Sequence, residues 1–415
     1  MEDIIFESEK KPVISFDWIT FIIIISLVAV GLMSIYSATL GSNMEVFFAR
    51  QLFSAGIGLI VMLAIVFMPE SWIRFNAFIV YGISIALLLL VFIIGREING
   101  TKGWIRFGGL SLQPSELAKI GALVAVAKFI AKKGIDIRVW RDLLSVILFI
   151  LPPAFLILLQ PDFGSASVMI AMMGGILFWA GFDAFTLYFI VSVPFIIISS
   201  LKGTWWMVAI TTIFTVGAFI FRRNIVATVI VAAIFVSAGV VAPLVYEGLA
   251  PHQKERIDTF LNPGSNPLGA GYNVMQSLMA VGSGGVSGKG FTQGTQTQLR
   301  YIPMQWTDFI YSVPSEEFGF VGGAIVIALH FGLIWRAIIT ASIVANKFYS
   351  IICIGAATIF FYHTTINIGM AIGIMPVMGI PLPFMSYGGT SLIMTMGLGG
   401  LILNAHRQHE LKRSV

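Results

Sequence analysis

The sequence predicts an all-α integral membrane protein, a polytopic bundle of helices. Three observations predict it: the 415-residue chain is 57% hydrophobic, only 11% of its residues are charged, and long apolar runs recur along its whole length. A soluble domain carries about 25% charged residues, and a helix needs roughly 20 apolar residues to cross the hydrocarbon layer of a bilayer. The composition therefore excludes a soluble globular enzyme and leaves no room for a separate soluble domain.

Twelve apolar runs, each bounded by charged or turn-forming residues, are the candidate spans. They lie at about 18–38, 51–68, 76–95, 116–131, 142–159, 165–181, 184–201, 205–221, 225–245, 314–336, 348–371 and 389–405. The separator Lys202–Thr204 is short, so the two runs beside it are the weakest candidates. The first run is of span length and follows a charged segment, which argues against a cleavable signal peptide.

Clusters of basic residues orient the bundle, because cytoplasmic connections carry an excess of Lys and Arg. The clusters are Lys10–Lys11, Lys132–Lys133 with Arg138 and Arg141, Arg222–Arg223, Arg336 with Lys347, and the tail His406–Arg413. This rule places both termini in the cytoplasm and a long polar loop at about 246–310 outside. The net charge of +5 follows from this topology, so we expect no nucleic-acid partner.

The polar loop is rich in glycine and ends at Asp308, where Phe309 begins the return to lipid. Functional residues concentrate on such loops, and a partly desolvated carboxylate at this depth suits a general base. Aspartate is also a favoured helix N-cap, so a capping role at the start of the next span stays open as an alternative.

Glu116 and Lys119 form the second candidate pair. Pro114 and Ser115 are typical of a helix start, and the spacing of three residues places Glu116 and Lys119 on one helical face. An unpaired lysine inside a span costs about 3 kcal/mol or more, which favours an ion pair. The pair is either a purely structural ion pair, or it borders an active cavity of the protein and holds or tunes Asp308.

Cations predicted to lie outside the membrane are candidates for holding a phosphate group. They are Arg106, Arg256 and Lys289, with Gly288 and Gly290 offering backbone N–H groups beside the lysine. The Gly-Lys-Gly spacing is not that of a P-loop. Cys353 is the single cysteine, and no spacing of His, Cys and acidic residues suggests a metal site. We therefore expect no cofactor, although a divalent cation could assist a phosphate reaction.

Two further polar pairs carry weaker signals. Glu316 and Glu317 are adjacent, so they cannot share a helix face as an acid–base pair. His363 and Asn367 lie four residues apart within a span, where polar pairs usually join helices.

Several sequence blocks carry a family resemblance. They are Asn367–Met370 with Gly373, Pro376 and Gly379; Pro381–Ser391; Gln113–Lys119; Gln160–Gly164; Asn266–Tyr272; Gly282–Gly290; and Gly294–Leu299 with Pro303 and Thr307–Ile310. In combination they closely resemble the SEDS family (shape, elongation, division and sporulation), and the last block is most similar to its RodA branch. The matches cover most of the chain.

The resemblance implies a peptidoglycan glycosyltransferase, an inverting hexosyltransferase that polymerises lipid II on the outer face of the cytoplasmic membrane during cell elongation. The essential acid of the family falls on Asp308, and its paired acid and base fall on Glu116 and Lys119. Implied partners are a class B penicillin-binding protein and other membrane proteins of the elongation complex. A lipid II flippase and a non-enzymatic scaffold for the penicillin-binding protein are the alternatives.

One departure from the family concerns the number of spans. Family members have about ten, whereas this chain has about twelve, and we expect an inserted helical hairpin within about 182–245 of a single domain covering 1–415. An even insertion preserves the sidedness of everything after it, so Asp308 stays outside.

Overall fold

The computed structural model describes residues 16–41, 44–98, 101–107, 110–248, 254, 257–258, 260–262 and 270–413. Long helices occupy the places of all twelve predicted spans. They are α1 (Trp18–Thr39), α2 (Glu45–Phe67), α3 (Glu70–Ile94), α4 (Pro114–Ile130), α5 (Trp140–Leu158), α6 (Phe163–Trp179), α7 (Ala184–Lys202), α8 (Thr204–Arg222), α9 (Ile225–Glu247), α13 (Gly319–Ile343), α14 (Lys347–Ala371) and α15 (Gly389–Arg413).

The helical membrane class is confirmed. Within the described ranges, nine helices are long and apolar enough to cross a bilayer. Of the other three, α4 and α6 have 17 residues each, and α15 ends in charged residues. The chain is therefore a multi-pass membrane protein, while the count of twelve spans stays a prediction.

Side-chain caps and one glycine set several helix boundaries. The carboxylates of Asp17, Asp162 and Asp183 accept the backbone N–H groups that open α1, α6 and α7. Gly203 separates α7 from α8 with a φ of 131°, a conformation that residues with a Cβ rarely adopt. The short separator predicted from Lys202–Thr204 is therefore a true break.

The core has two parts. Helices α1–α6 and α13–α15 share one buried apolar cluster, and α14 is the most enclosed span of the set. Helices α7, α8 and α9 pack mainly on one another around Ile196, Ala218, Val231 and Phe235. The predicted insertion at about 182–245 falls in this second group, and its status as an insertion stays a prediction.

Some elements were not predicted from the sequence. A three-stranded antiparallel sheet of β1 (Arg96–Ile98), β2 (Thr101–Phe107) and β3 (Leu110–Leu112) joins α3 to α4. Two helices lie within the polar loop, namely α10 (Ala270–Ser283) and α11 (Thr295–Gln298). The loop therefore presents folded elements rather than continuous irregular chain.

The predicted span at 314–336 was wrong at its start. A separate short helix, α12 (Ser312–Glu317), ends at Phe318, and the long helix α13 begins only at Gly319. Gly319 has a φ of 66°, and a Cβ there would lie 2.4 Å from the backbone nitrogen of Gly288. The chain breaks here because that close approach requires a glycine, so Glu316 and Glu317 lie in the loop region rather than in the span.

Candidate active site

The segment between α14 and α15 holds the backbone around Asp308. The Ser386 hydroxyl donates to the Thr307 carbonyl at 2.7 Å, and the Tyr387 backbone N–H donates to the Trp306 carbonyl at 2.8 Å. Gln51 of α2 binds the same segment by donating to the Ser386 carbonyl at 3.0 Å. This Pro- and Gly-rich, non-helical segment thus makes its backbone hydrogen bonds to protein, as non-helical backbone at membrane depth must.

Asp308 lies half-buried in a run of turns just before α12. The N-cap residue of α12 is Tyr311 and that of α13 is Phe318, and neither makes a side-chain capping bond. Asp308 is therefore the N-cap residue of neither helix. The side chain of Asn367, in α14, donates to the Asp308 carbonyl at 3.0 Å and to the Ile380 carbonyl at 2.8 Å.

Glu116 and Lys119 form the predicted ion pair at the start of α4. The Lys119 Nζ lies 2.8 Å from Glu116 Oε1, and the two side chains are only 3% and 5% exposed. Pro114 opens the helix and Glu116 lies in its first turn, where the helix dipole favours an anion. Lys119 Nζ also lies 3.3 Å from Nε2 of His363, so the pair connects to α14.

Two distant sequence blocks meet beside this ion pair. Gln113 donates to the Asp162 carboxylate at 3.2 Å, and the hydroxyls of Ser115 and Ser165 lie 3.4 Å apart. A Cβ on Gly164 would lie 2.6 Å from the Met378 carbonyl oxygen, so only glycine permits this contact. The starts of α4 and α6 therefore pack under the segment that holds Asp308.

Arg106 stays a candidate cation on the exposed side of β2. Its register partner in β3 is Ser111, whose carbonyl accepts the Thr390 hydroxyl of α15 at 2.6 Å. The sheet is thereby tied to the end of the segment that holds Asp308. Arg256, the other predicted arginine, lies outside the described residues.

Lys289, a predicted phosphate ligand, is engaged in bonds within the protein. Its ammonium bonds to Glu316 Oε1 at 2.7 Å, the Ser283 hydroxyl at 2.6 Å and the Thr295 hydroxyl at 2.7 Å. An ammonium has three N–H donors, so all three are engaged within the protein. The side chain is only 24% exposed, and Lys289 therefore serves the loop as a partner of Glu316.

The glycines around Lys289 are likewise packing residues rather than an anion cradle. The backbone N–H groups of Lys289 and Gly290 donate to the carbonyls of Glu316 and Glu317, at 3.1 and 2.9 Å. Gly288 has a φ of 80°, and a Cβ on it would lie 2.1 Å from the Glu317 carbonyl oxygen. These glycines let the loop approach α12, and their N–H groups are not free for a phosphate.

Glu316 organises the loop, a role that its position beside Glu317 did not reveal. It is fully buried and accepts the backbone N–H groups of Gln296 and Thr297, at 2.8 and 2.9 Å, and the Thr297 hydroxyl at 2.7 Å. Burial alone would raise the pKa of Glu316, but the bonds from Lys289, Gln296 and Thr297 outweigh it and lower the pKa. The Gly294–Leu299 block thus wraps around an anion.

Glu317 has the opposite electrostatic environment although it is the next residue. It is 1% exposed, accepts the Ser37 hydroxyl of α1 and the Thr292 backbone N–H, and its Oε2 has no hydrogen-bond partner among the described residues. Burial raises the pKa of Glu317 to about 7, against the bonds from Ser37 and Thr292. This carboxyl therefore holds a proton up to near-neutral pH.

An apolar groove of about 430 Å³ runs beside this loop, between α1 and α13. Its walls include Val30, Met33, Phe318, Val321 and Ile325. In the part of the chain that the structure describes, no group of three or more His, Cys, Asp or Glu side chains could hold a metal ion. The expectation that the site needs no cofactor stays a prediction.

Comparison with protein families gives an extensive match. The family model described as Cell cycle protein, which covers FtsW, RodA and SpoVE, matches residues 15–212 and 202–411. The peptidoglycan glycosyltransferase RodA of Treponema pallidum is 31% identical over an alignment of 425 positions, which covers 95% of this chain and 98% of the relative. Stage V sporulation protein E of Bacillus subtilis is 34% identical, with 94% and 97% covered.

Solved structures share the fold. A chain from a study of how a peptidoglycan synthase complex coordinates polymerization and crosslinking superposes with a TM-score of 0.72 and 30% identity. The crystal structure of RodA from Thermus thermophilus gives 0.63 and 27%. Each match covers 95% of this chain and 98% of the other chain.

Proposed function

Because the chain belongs to the FtsW, RodA and SpoVE family of cell cycle proteins, we propose that it polymerises lipid II into β-1,4 glycan strands during cell elongation. It is a peptidoglycan glycosyltransferase, in line with relatives of that name that match over nearly their full length. The observation that carries the site is the convergence of the separate motif blocks on Asp308 through Asn367 and Ser386.

In the proposed reaction, Asp308 is the general base. Its carboxylate accepts the proton of the acceptor sugar's 4-hydroxyl, and that oxygen attacks the anomeric carbon of the donor sugar. The bond from the anomeric carbon to the pyrophosphate oxygen breaks, and undecaprenyl pyrophosphate leaves with the bonding electron pair. Attack opposite the leaving group inverts an α-linked donor to a β-linked product.

The leaving pyrophosphate requires positive charge nearby. Arg106 and Arg256 are the proposed sources of this charge, whereas the three donors of Lys289 already bond within the protein. The apolar groove between α1 and α13 is the proposed place for the polyprenyl chain, since its walls are apolar and face the membrane part of the bundle.

The proposed location of the site is the outer face of the cytoplasmic membrane. It is supported by the distribution of charge, since Arg336, Arg407 and Lys412 lie towards the end of the bundle away from Asp308. The proposed partner is a class B penicillin-binding protein. Support comes from the structural likeness to a chain of a complex that joins polymerization to crosslinking.

The test is polymerisation of purified lipid II by the Asp308→Asn variant. We expect its rate to fall by about 10²–10⁴-fold, the usual contribution of a general base. The matched control is Asp136→Asn, an exposed aspartate next to the start of α5, which should keep the wild-type rate. A fully active Asp308→Asn variant would contradict the assignment. Lipid transport without polymer would instead support a flippase.

A further inference from the structure

The buried amide of Asn367 ties the peptide of Asp308 to the segment that follows α14. The side chain is 0% exposed, and its Nδ2 donates to the Asp308 carbonyl and to the Ile380 carbonyl. A primary amide has two N–H donors, so these two bonds use both. A fully enclosed side chain cannot touch substrate, so any effect of Asn367 on the reaction acts through the position of Asp308.

His363 extends this connection from the same helix face, one turn earlier. Its Nδ1 lies 2.9 Å from the Pro381 carbonyl. A carbonyl oxygen only accepts, so Nδ1 must carry the proton, and Nε2 must then accept from Lys119 Nζ at 3.3 Å. Lys119 in turn donates to Glu116, so the bonds run from Glu116 through Lys119 and His363 to Pro381.

Ile380 and Pro381 are consecutive, so one face of α14 binds a single short piece of backbone through both side chains. We propose that Asn367 and His363 are positioning residues that fix the Asp308 peptide relative to α4 and so set the direction of its carboxylate. This inference rests on the proposed role of Asp308. A displacement of about 1 Å at a catalytic group can cost about 100-fold in rate.

The chain contains a matched control for Asn367. Asn404 of α15 is also 0% exposed, and its Nδ2 donates to the carbonyls of Ile65 and Met68, at 2.9 and 2.7 Å, where α2 ends. Asn404 lies 15 residues beyond the start of α15 at Gly389, and thus about 22 Å along the helix from the segment that holds Asp308. The two asparagines therefore match in burial and in donating to backbone carbonyls but differ in location, and Asn404 Oδ1 also accepts the Tyr349 hydroxyl.

The experiment compares Asn367→Leu with Asn404→Leu in the purified full-length protein, by melting temperature and by kcat and KM for lipid II. Both variants should lower the melting temperature, because each leaves buried carbonyls without donors, and Asn404→Leu should lower it at least as much because it also removes the acceptor of the Tyr349 hydroxyl. We expect kcat to fall by about 100-fold in Asn367→Leu with KM within about threefold of wild type. Asn404→Leu should keep kcat within about threefold.

Rescue at His363 gives an independent readout. Glutamine can donate to Pro381 and accept from Lys119, whereas leucine can do neither. We therefore expect His363→Gln to retain most of kcat and His363→Leu to lose about tenfold or more at unchanged KM. If Asn367→Leu does not accumulate as folded protein, this pair decides the question.

Four outcomes would count against these ideas. Equal loss of kcat in Asn367→Leu and Asn404→Leu, or equal kcat in the two His363 variants, would overturn the positioning role. Wild-type kcat in Asn367→Leu together with an inactive Asp308→Asn variant would overturn positioning but leave Asp308 as the base. Full activity of Asp308→Asn would overturn the proposed function itself.

Discussion

Two lysine–glutamate pairs in this chain have nearly equal bond lengths but different surroundings. Glu116 and Lys119 lie three residues apart on α4 and are joined at 2.8 Å. Glu316 and Lys289 lie 27 residues apart and are joined at 2.7 Å. The first pair connects α4 through His363 to the segment that follows α14, whereas the second holds a loop together.

The difference lies in what else each carboxylate accepts. Glu316 also accepts backbone N–H groups and a hydroxyl from Gln296 and Thr297, so the loop depends on that anion. Glu116 accepts its side-chain bond from Lys119, and the same Lys119 ammonium also contacts His363. Replacing both partners of a buried pair with apolar residues is often neutral when no other donor is left stranded, so the two pairs should respond differently to the same change.

The largest expected effect is in the loop pair. The double variant Glu316→Leu with Lys289→Leu leaves the donors of Gln296 and Thr297 buried without an acceptor, at about 1–3 kcal/mol for each stranded group. We expect the loop to lose its fold, with a total loss of about 3–9 kcal/mol for the three stranded groups. Thermal melting and limited proteolysis within 284–312 measure this. Unchanged protection of the loop would show that Glu316 does not organise it.

The helical pair should lose activity rather than stability. In the double variant Glu116→Leu with Lys119→Leu, both charges leave together, so we expect the free energy of unfolding to change by less than about 2 kcal/mol. His363 loses its donor, and polymerisation of lipid II should fall by about 100-fold. A stable variant with full activity would make this ion pair purely structural.

The smallest expected effect is a difference between Glu316 and Glu317 in how each makes the stability depend on pH. Because burial raises the pKa of Glu317 from 4.5 to about 7, the folded state keeps a proton that the unfolded chain releases. Stability should therefore fall as pH rises from about 4.5 to 7 and level off above 7. At about 1.4 kcal/mol per pKa unit, the change is at most about 3 kcal/mol.

Glu317→Gln is the variant that tests this slope. It removes the titration, so its melting temperature should stay flat across pH 4.5–7 and exceed that of the wild type above pH 7. Because the pKa of Glu316 is lowered instead, its contribution is present above its unfolded pKa and is lost only in stronger acid. An unchanged slope in Glu317→Gln would assign the pH dependence to another group.

Much of the fold could be predicted because lipid imposes a simple rule on sequence. A span must be apolar and of sufficient length, so helices are found at all twelve predicted places. Local spacing likewise predicted the Glu116–Lys119 pair, since residues three apart on a helix are neighbours. The small sheet at 96–112 was missed because its strands are short and do not alternate strongly in polarity.

The polar loop was harder to predict because its contacts join residues far apart in sequence. Residue type made Lys289 a reasonable phosphate ligand, but Glu316 engages it across 27 residues. The glycines at 288 and 290 suited an anion site equally well, but their N–H groups donate to the carbonyls of Gly284 and Glu317. The sequence did contain a signal for this contact. The Thr- and Gln-rich block Gly294–Leu299 precedes Glu316 and offers many hydrogen-bond donors to one buried anion.

The sequence by itself determined that this chain is a helical membrane protein, and its motif blocks pointed to its family and to Asp308. These features depend on composition, on periodicity and on short local patterns. Only the tertiary structure decided that Asn367 and His363 connect Asp308 to the Glu116–Lys119 pair and that Lys289 belongs to Glu316. The physical reason is that a hydrogen bond depends on distance and direction in space, and no spacing along the chain specifies which distant helix will supply the partner.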